Sequence, residues 1–275
     1  MNSEPLLHVE NLCVTYRAPG QKPVEAVRGV SFDLGAGESL GIVGESGCGK
    51  SSLAKALIGL QPPSAGSMRF EGQEIGRMDA AAFRRYRRAV QMVFQDAAGS
   101  LNPRMTVRQT LEEVLRVHRM VAPEQTAARV GELVGRVGLP ETVLDAYPRE
   151  ISGGQCQRVS FARCLALEPQ LIIADEPVSA LDVSVQARIL NLVRALQREL
   201  HLAVVLISHD LAVVRNICDR VAVMHAGEFV ECGPTADVLD APRHAYTRDL
   251  LFAVPDVARE LARSRRRNPD PNPEP

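Results

Sequence analysis

Three things are missing from this chain: an excess of either charge, an apolar run long enough to cross a bilayer, and a cysteine pair at metal-ligand spacing. Lys and Arg number 32 against 33 Asp and Glu, a formal net charge of -1. No global field is therefore present to hold nucleic acid or anionic lipid, and partners have to be argued from local sites. Apolar stretches such as residues 202–207 fall far short of the roughly 18 residues needed to span a membrane, so membrane association is expected only through a partner. The opening MNSEPLLHVENL has neither a basic stretch nor a long apolar segment, and no secretory leader is expected. The six cysteines, at 13, 48, 156, 164, 218 and 232, read as reduced thiols in the cytosol.

What is present begins with a length of 275 residues and an apolar share of 45%, enough for one large domain or a core with a smaller lobe. Residues 6–16 alternate in polarity, and after the turn residues 19–23 a second run over 24–34 pairs naturally with them, which predicts an N-terminal antiparallel β lobe. Residues 39–43 form a short apolar strand that ends in glycines and feeds a helix over 51–60, with a further strand at 67–71. From 80 to 150 the character changes: an Arg-rich helical start, a loop at 96–104, then helical patterns over 110–117 and 124–137. This stretch predicts a mainly helical lobe inserted into an α/β core.

The core resumes with a strand at 171–175, a helix at 184–200, a strand at 203–208, a short helix near 210–218, and strands at 220–225 and 228–232 around Gly227. Alternation of this kind predicts an α/β fold with a mainly parallel sheet. Beyond about residue 259 an Arg run and Asn/Asp-Pro repeats predict disorder; this tail reads either as a solubilising segment or as a contact for anionic lipid headgroups or a partner.

Gly44, Glu45, Ser46, Gly47, Cys48, Gly49, Lys50 and Ser51 satisfy G-x-x-x-x-G-K-S between a predicted strand and a predicted helix. The glycines let backbone N–H groups converge on phosphates, Lys50 reaches the β and γ phosphates, and the Ser51 hydroxyl is a magnesium ligand. The apolar strand at 171–174 runs into Asp175 and Glu176. A strand can end in acid merely because its end is wet. Beside a phosphate loop, Asp175 is placed to hold magnesium through water and Glu176 to orient the attacking water. His209 follows the strand at 203–208, where a neutral imidazole would donate to a γ-phosphate and hold Glu176 or water in line.

These residues resemble the ATP-binding cassette (ABC) ATPases over about residues 5–255, which implies a P-loop NTPase core of ABC type. The resemblance places a nucleotide-binding domain over 1–258, its helical lobe at about 97–160 and a family-type C-terminal segment at about 234–258, ahead of the tail at 259–275. Ile151 and Ser152, Gly153, Gly154, Gln155 are similar to the signature LSGGQ, with Ile for Leu. The resemblance implies that this signature binds the γ-phosphate held by an opposite subunit; as the start of a helix, it presents N–H groups suited to an anion. Gln95 matches the glutamine that senses magnesium and couples to a transmembrane partner. Ser179, Ala180, Leu181 and Asp182 match the D-loop, Ser52 continues the phosphate-facing helix start, and Tyr16 falls where the family stacks an aromatic on adenine. ATP and Mg2+ are the implied cofactors.

Phe94, Gln95, Asp96 with Ser100, Leu101, Asn102, Pro103, Arg104, Met105, Thr106, and the late Pro242, His244, Tyr246, Thr247, resemble the group serving dipeptide, oligopeptide and nickel importers. This implies two permease subunits, a second ABC ATPase (a different chain favoured over a second copy), an extracytoplasmic solute-binding protein, and a place on the cytoplasmic face of the membrane. Ala97 and Ala245 replace prolines of the group's pattern and soften turns. Cys156, just after the signature, either tunes the helix or exposes an oxidisable thiol near the phosphate. The group's cysteine-rich tail is missing, so no iron-sulfur cluster is expected. A soluble ABC ATPase acting on nucleic acid would carry a tandem cassette, a coiled-coil insertion or a basic surface, and the sequence has none of these.

Overall fold

The side chains of four short apolar strands divide by parity, and this division organises the molecule seen in the computed structural model. The described residues are 4–17, 19–20, 22–179 and 181–253, so the expected disorder of the tail and the D-loop residue Ala180 lie outside them. In chain order, β1 (Leu7–Tyr16) pairs with β2 (Val24–Leu34); β3 (Ser39–Val43) leads into α1 (Lys50–Leu57); then come β4 (Ala65–Phe70) and β5 (Gln73–Glu74). Next, α2 (Ala80–Ala89) runs into β6 (Val90–Val93), and α3 (Val107–Val117), α4 (Thr126–Arg136) and α5 (Gly153–Leu165) precede β7 (Leu171–Asp175). The chain continues through α6 (Val183–Leu200), β8 (Ala203–Ser208), α7 (Leu211–Ile217), β9 (Arg220–His225), β10 (Glu228–Pro234), α8 (Thr235–Asp240) and α9 (Ala245–Ala253).

Two sheets result. The first is antiparallel, in the order β2-β1-β4-β5; the second runs β10-β9-β3-β8-β7-β6 and is parallel except for β10. A strand sends alternate side chains to opposite faces. Ile173, Val205, Ile207, Ile42 and Ala222 accordingly join the core shared with α1 and the antiparallel sheet. Their neighbours Ile172, Ala174, Val204, Leu206 and Val223 join the core shared with α5, α7 and the helices α3 and α4. Both faces are covered, which is why β3, β7 and β8 read as unbroken apolar runs rather than as alternating ones.

Residues 80–93 correct the pattern reading of 80–150 as one helical lobe. Helix α2 shows solvent four arginines, yet its Tyr86 is buried, edge-on to Phe70 at 5.3 Å, and its hydroxyl donates to the Leu57 carbonyl. Strand β6 then pairs in parallel with β7 and forms the edge of the core sheet. Four residues are too few for a periodic signal, and one buried aromatic among arginines is a weak one. The lobe helices are better marked. Thr106 caps α3 through a reciprocal box with Gln109, a local pattern that fixes the start of the helix.

Candidate nucleotide site

The carboxyl ends of four adjacent parallel strands lie side by side: Val43 pairs with Ser208, Asp175 with Ile207, and Val93 with Ala174. Each strand is followed immediately by a residue singled out from the sequence, at the edge where open parallel sheets bind ligands. After β3 the chain turns through Gly44, Gly47 and Gly49, all at positive φ (154°, 82° and 114°). A Cβ on Gly44 would lie 2.1 Å from the Met224 carbonyl oxygen, and one on Gly49 2.1 Å from that of Ala26. Space as well as conformation thus demands glycine at both positions.

Gly49 caps α1 without a side chain, so the first N–H groups of that helix remain available to an anion. Lys50 is buried, and its ammonium donates to the carbonyls of Gly44 (2.7 Å) and Glu45 (2.8 Å), folded over the same loop. Cys48 is buried, with its Sγ 3.6 Å from Lys50 Nζ, while Glu45, Ser46 and Ser51 are exposed and Ser52 is half-buried.

Asp175 ends β7 almost fully buried, and burial raises its carboxyl above the ordinary value, against the Ser51 hydroxyl bonded to it and the nearby Lys50. Its Oδ1 is buried without a hydrogen-bond partner. An orphaned carboxylate oxygen beside a serine hydroxyl suits a hard dication that takes its other ligands from phosphates and water. Among the described residues no group of three or more His, Cys, Asp or Glu could hold a metal alone. Serine, aspartate and phosphate together therefore fit magnesium better than a protein-only cage would.

Glu176 sits in the left-handed region (φ 45°), a strained backbone for a glutamate, and its N–H donates to the Ile207 carbonyl. Its carboxylate is held from two sides: Gln95 Nε2 donates to Oε2 at 3.0 Å, and His209 Nδ1 lies 3.3 Å from Oε1. Its side chain is 16% exposed and that of His209 is 56% exposed, so the imidazole remains open to solvent or substrate. The fold thus brings together Lys50, Ser51, Asp175, Glu176, His209 and Gln95 from four strand ends.

The signature lies elsewhere. Ser152 caps α5, its Oγ accepting from the Gln155 N–H (3.3 Å) while Gln155 Oε1 accepts from the Ser152 N–H (2.8 Å). Gly153 is exposed, whereas Gly154 is buried against α6, where a Cβ would meet Val185 Cγ1 at 2.3 Å. Helix α5 packs into one core and the phosphate loop's Cys48 into the other, on opposite faces of the sheet. Asp182 caps α6, its carboxylate accepting from the Val185 N–H and the Ser184 hydroxyl. Tyr16 is exposed at the end of β1.

Cys156 departs from one of the two expectations. It is buried, its Sγ donates to the Pro148 carbonyl, and burial pushes the thiol up, so it is not an exposed, oxidisable group. The sequence reading did not anticipate Tyr246 at the phosphate loop: the Glu45 N–H donates to its hydroxyl at 3.1 Å across 201 residues of chain. No local signal could have revealed that contact.

The ABC transporter family model matches residues 27–179, more than half of the chain. The chain belongs to the ABC transporter family. It is an ATPase of that family, and a second model, the C-terminal region of oligopeptide/dipeptide transporters, matches residues 230–274. The oligopeptide transport ATP-binding protein OppF of Haemophilus influenzae is 44% identical over 276 residues, covering 96% of this chain and 82% of that protein. The glutathione import ATP-binding protein GsiA of Pectobacterium atrosepticum is 48% identical over 260 residues, 92% of this chain but only 42% of that longer protein. Among solved structures, the ABC ATPase chain superposes on the dimeric, post-hydrolysis state of the ATP-binding cassette MJ0796 bound to ADP and Pi. The TM-score is 0.75 at 29% identity, over 83% of this chain and 98% of that one.

Proposed function

We propose that this chain is the ATP-hydrolysing subunit of an importer for dipeptides, oligopeptides or a related solute. It would sit on the cytoplasmic face of the membrane through two permease subunits, served by an extracytoplasmic solute-binding protein. The observation that carries the solute class is the match of residues 230–274 to the C-terminal region of oligopeptide/dipeptide transporters. The GsiA relative favours glutathione, itself a small peptide, as a second reading.

In this reading the N–H groups that open α1 and the Lys50 ammonium hold the β and γ phosphates, Tyr16 stacks on adenine, and Ser51, Asp175 and Gln95 hold Mg2+ directly or through water. When bound, that cation neutralises phosphate charge. Glu176 orients the attacking water, held in place by Gln95, and His209 reaches the γ-phosphate. These roles are supported by the clamp of 3.0 Å and 3.3 Å on the Glu176 carboxylate. Because the signature helix packs on the opposite face of the sheet, Ser152, Gly153, Gly154 and Gln155, with Asp182 behind them, are assigned to the nucleotide of a second ATPase subunit. That subunit is proposed to be a different chain.

A cavity of about 340 Å³ between the sheet edge and the lobe is lined by Leu60, Phe94, Val114, His118 and Arg163 among others. It is a suitable seat for a permease helix and adjoins Gln95 through Phe94. Mild detergent co-purification of the tagged chain from its native membranes tests the assignment. Two permeases, a second ATPase, and ATPase activity stimulated by a peptide-loaded binding protein are expected. A membrane-free complex with full ATPase activity would overturn it.

A further inference from the structure

We propose that Tyr246 of the C-terminal segment is a positioning residue that pins the phosphate loop in its ligand-ready shape. The proposal rests on the ATP-site reading above, but it concerns a residue on α9 rather than one of the loop or the strand ends. The exposed stretch Glu45, Ser46, Gly47 is the part of the loop with least packing, and the positive-φ glycines around it give it little stiffness of its own. Within the loop Lys50 and Cys48 donate to the Glu45 carbonyl, and from outside the loop the Tyr246 hydroxyl accepts from the Glu45 N–H at 3.1 Å.

The tyrosine is itself held. Its ring packs on His225, the last residue of β9, with centroids 4.0 Å apart. That strand also supplies the Met224 carbonyl against which Gly44 is fitted. The turn into α9 is fixed by Glu231 on β10, whose two carboxylate oxygens accept from the N–H groups of Arg243 (2.8 Å) and His244 (3.1 Å). His244 Nδ1 then accepts from the Tyr246 N–H. Burial raises the phenol above its ordinary value, and its hydroxyl oxygen accepts from the Glu45 N–H. The chain Glu231, His244, Tyr246, Glu45 thus joins the strand of the C-terminal segment to the loop backbone through hydrogen bonds alone.

A loop ordered before the nucleotide arrives loses less entropy on binding. Removing one hydroxyl should weaken ATP binding about three- to tenfold, the usual range for a single hydrogen bond, without changing turnover once ATP saturates. The variant is Tyr246→Phe in the full chain. Amide hydrogen exchange is followed in nucleotide-free protein, and affinity is measured with a fluorescent ATP analogue in the presence of Mg2+. Faster exchange confined to residues 44–50, a threefold or larger loss of affinity and an unchanged saturated rate in the purified transporter are expected. Unchanged exchange in the loop, or acceleration spread over the whole chain, would overturn the proposal, the latter assigning Tyr246 a merely structural role. If Tyr246→Phe lowers the melting temperature too far to compare, exchange is followed in both proteins at a temperature well below the variant's melting point and read by the same criterion. Failure of the wild-type chain to bind ATP would defeat the site reading separately, because exchange in the nucleotide-free protein reports on the loop contact without ATP.

Discussion

At the scale of single residues, the site depends on groups held in costly states. Glu176 occupies left-handed backbone space, and Asp175 is a buried carboxyl with an orphaned oxygen. Glu176→Gln should retain ATP binding while hydrolysis falls by orders of magnitude, measured by phosphate release at saturating ATP. Near-normal turnover would remove Glu176 from the water-positioning role. Asp175 permits a signed pH prediction. Burial raises its folded carboxyl above the unfolded value of 3.8, so its desolvation destabilises the nucleotide-free protein at neutral pH. That destabilisation is relieved as pH falls through the raised folded value. Asp175→Asn should therefore raise the melting temperature of nucleotide-free protein at pH 7, by an amount that shrinks toward the ordinary carboxyl range. Melting curves without Mg2+ across that window check the sign, and a difference independent of pH would reject desolvation of Asp175 as its cause.

At the scale of elements, helix starts carry more of the design than helix interiors. Thr106 and Ser152 each close a reciprocal box at the head of a lobe helix. Thr106→Ala should cost about 1 kcal/mol in denaturant unfolding and leave ATP affinity unchanged, since α3 lies away from the phosphate loop. Gly154 has a second constraint. A methyl there would strike Val185 Cγ1 at 2.3 Å, so Gly154→Ala should destabilise by about 1–3 kcal/mol. Adding Val185→Ala to the same chain should recover most of the loss, and absence of that coupling would show that α5 and α6 do not meet through these two residues. The start of α5 at Ser152 was legible beforehand, whereas the helix expected from 110 begins a turn earlier at Val107, behind the Thr106 cap. Strand β6 was not legible, since its four residues acquire meaning only through pairing with β7.

At the scale of the whole molecule, the phosphate loop and the signature helix lie on different faces of one sheet. The phosphate loop packs with α1 and the antiparallel sheet, whereas the signature helix packs with α3, α4 and α6. Under the proposed assignment of the signature to a second ATPase subunit, the site closes only when another chain faces it, so Glu176→Gln with ATP and Mg2+ should shift the two ATPase subunits to a stable closed pair. Light scattering of the ATPase subunits freed from the permeases, with and without ATP, reads that shift as a change from single to paired mass. A mass independent of ATP would count against closure by nucleotide.

By itself the sequence determined the glycine-rich loop after β3, the two acids at the end of β7, the histidine after β8, the Ser-Gly-Gly-Gln start of α5 and the α/β alternation. Each is written in contiguous residues whose spacing or backbone demand is local. Tertiary structure decided the rest. It placed α2 and β6 in the core, because burial of one face of an arginine-rich helix depends on Phe70 and the Leu57 carbonyl beyond it. It buried Cys156, because what covers a thiol is a matter of packing. It laid Tyr246 against Glu45, because a contact between residues 201 positions apart exists only once β9, β10 and α9 have closed on the edge of the sheet.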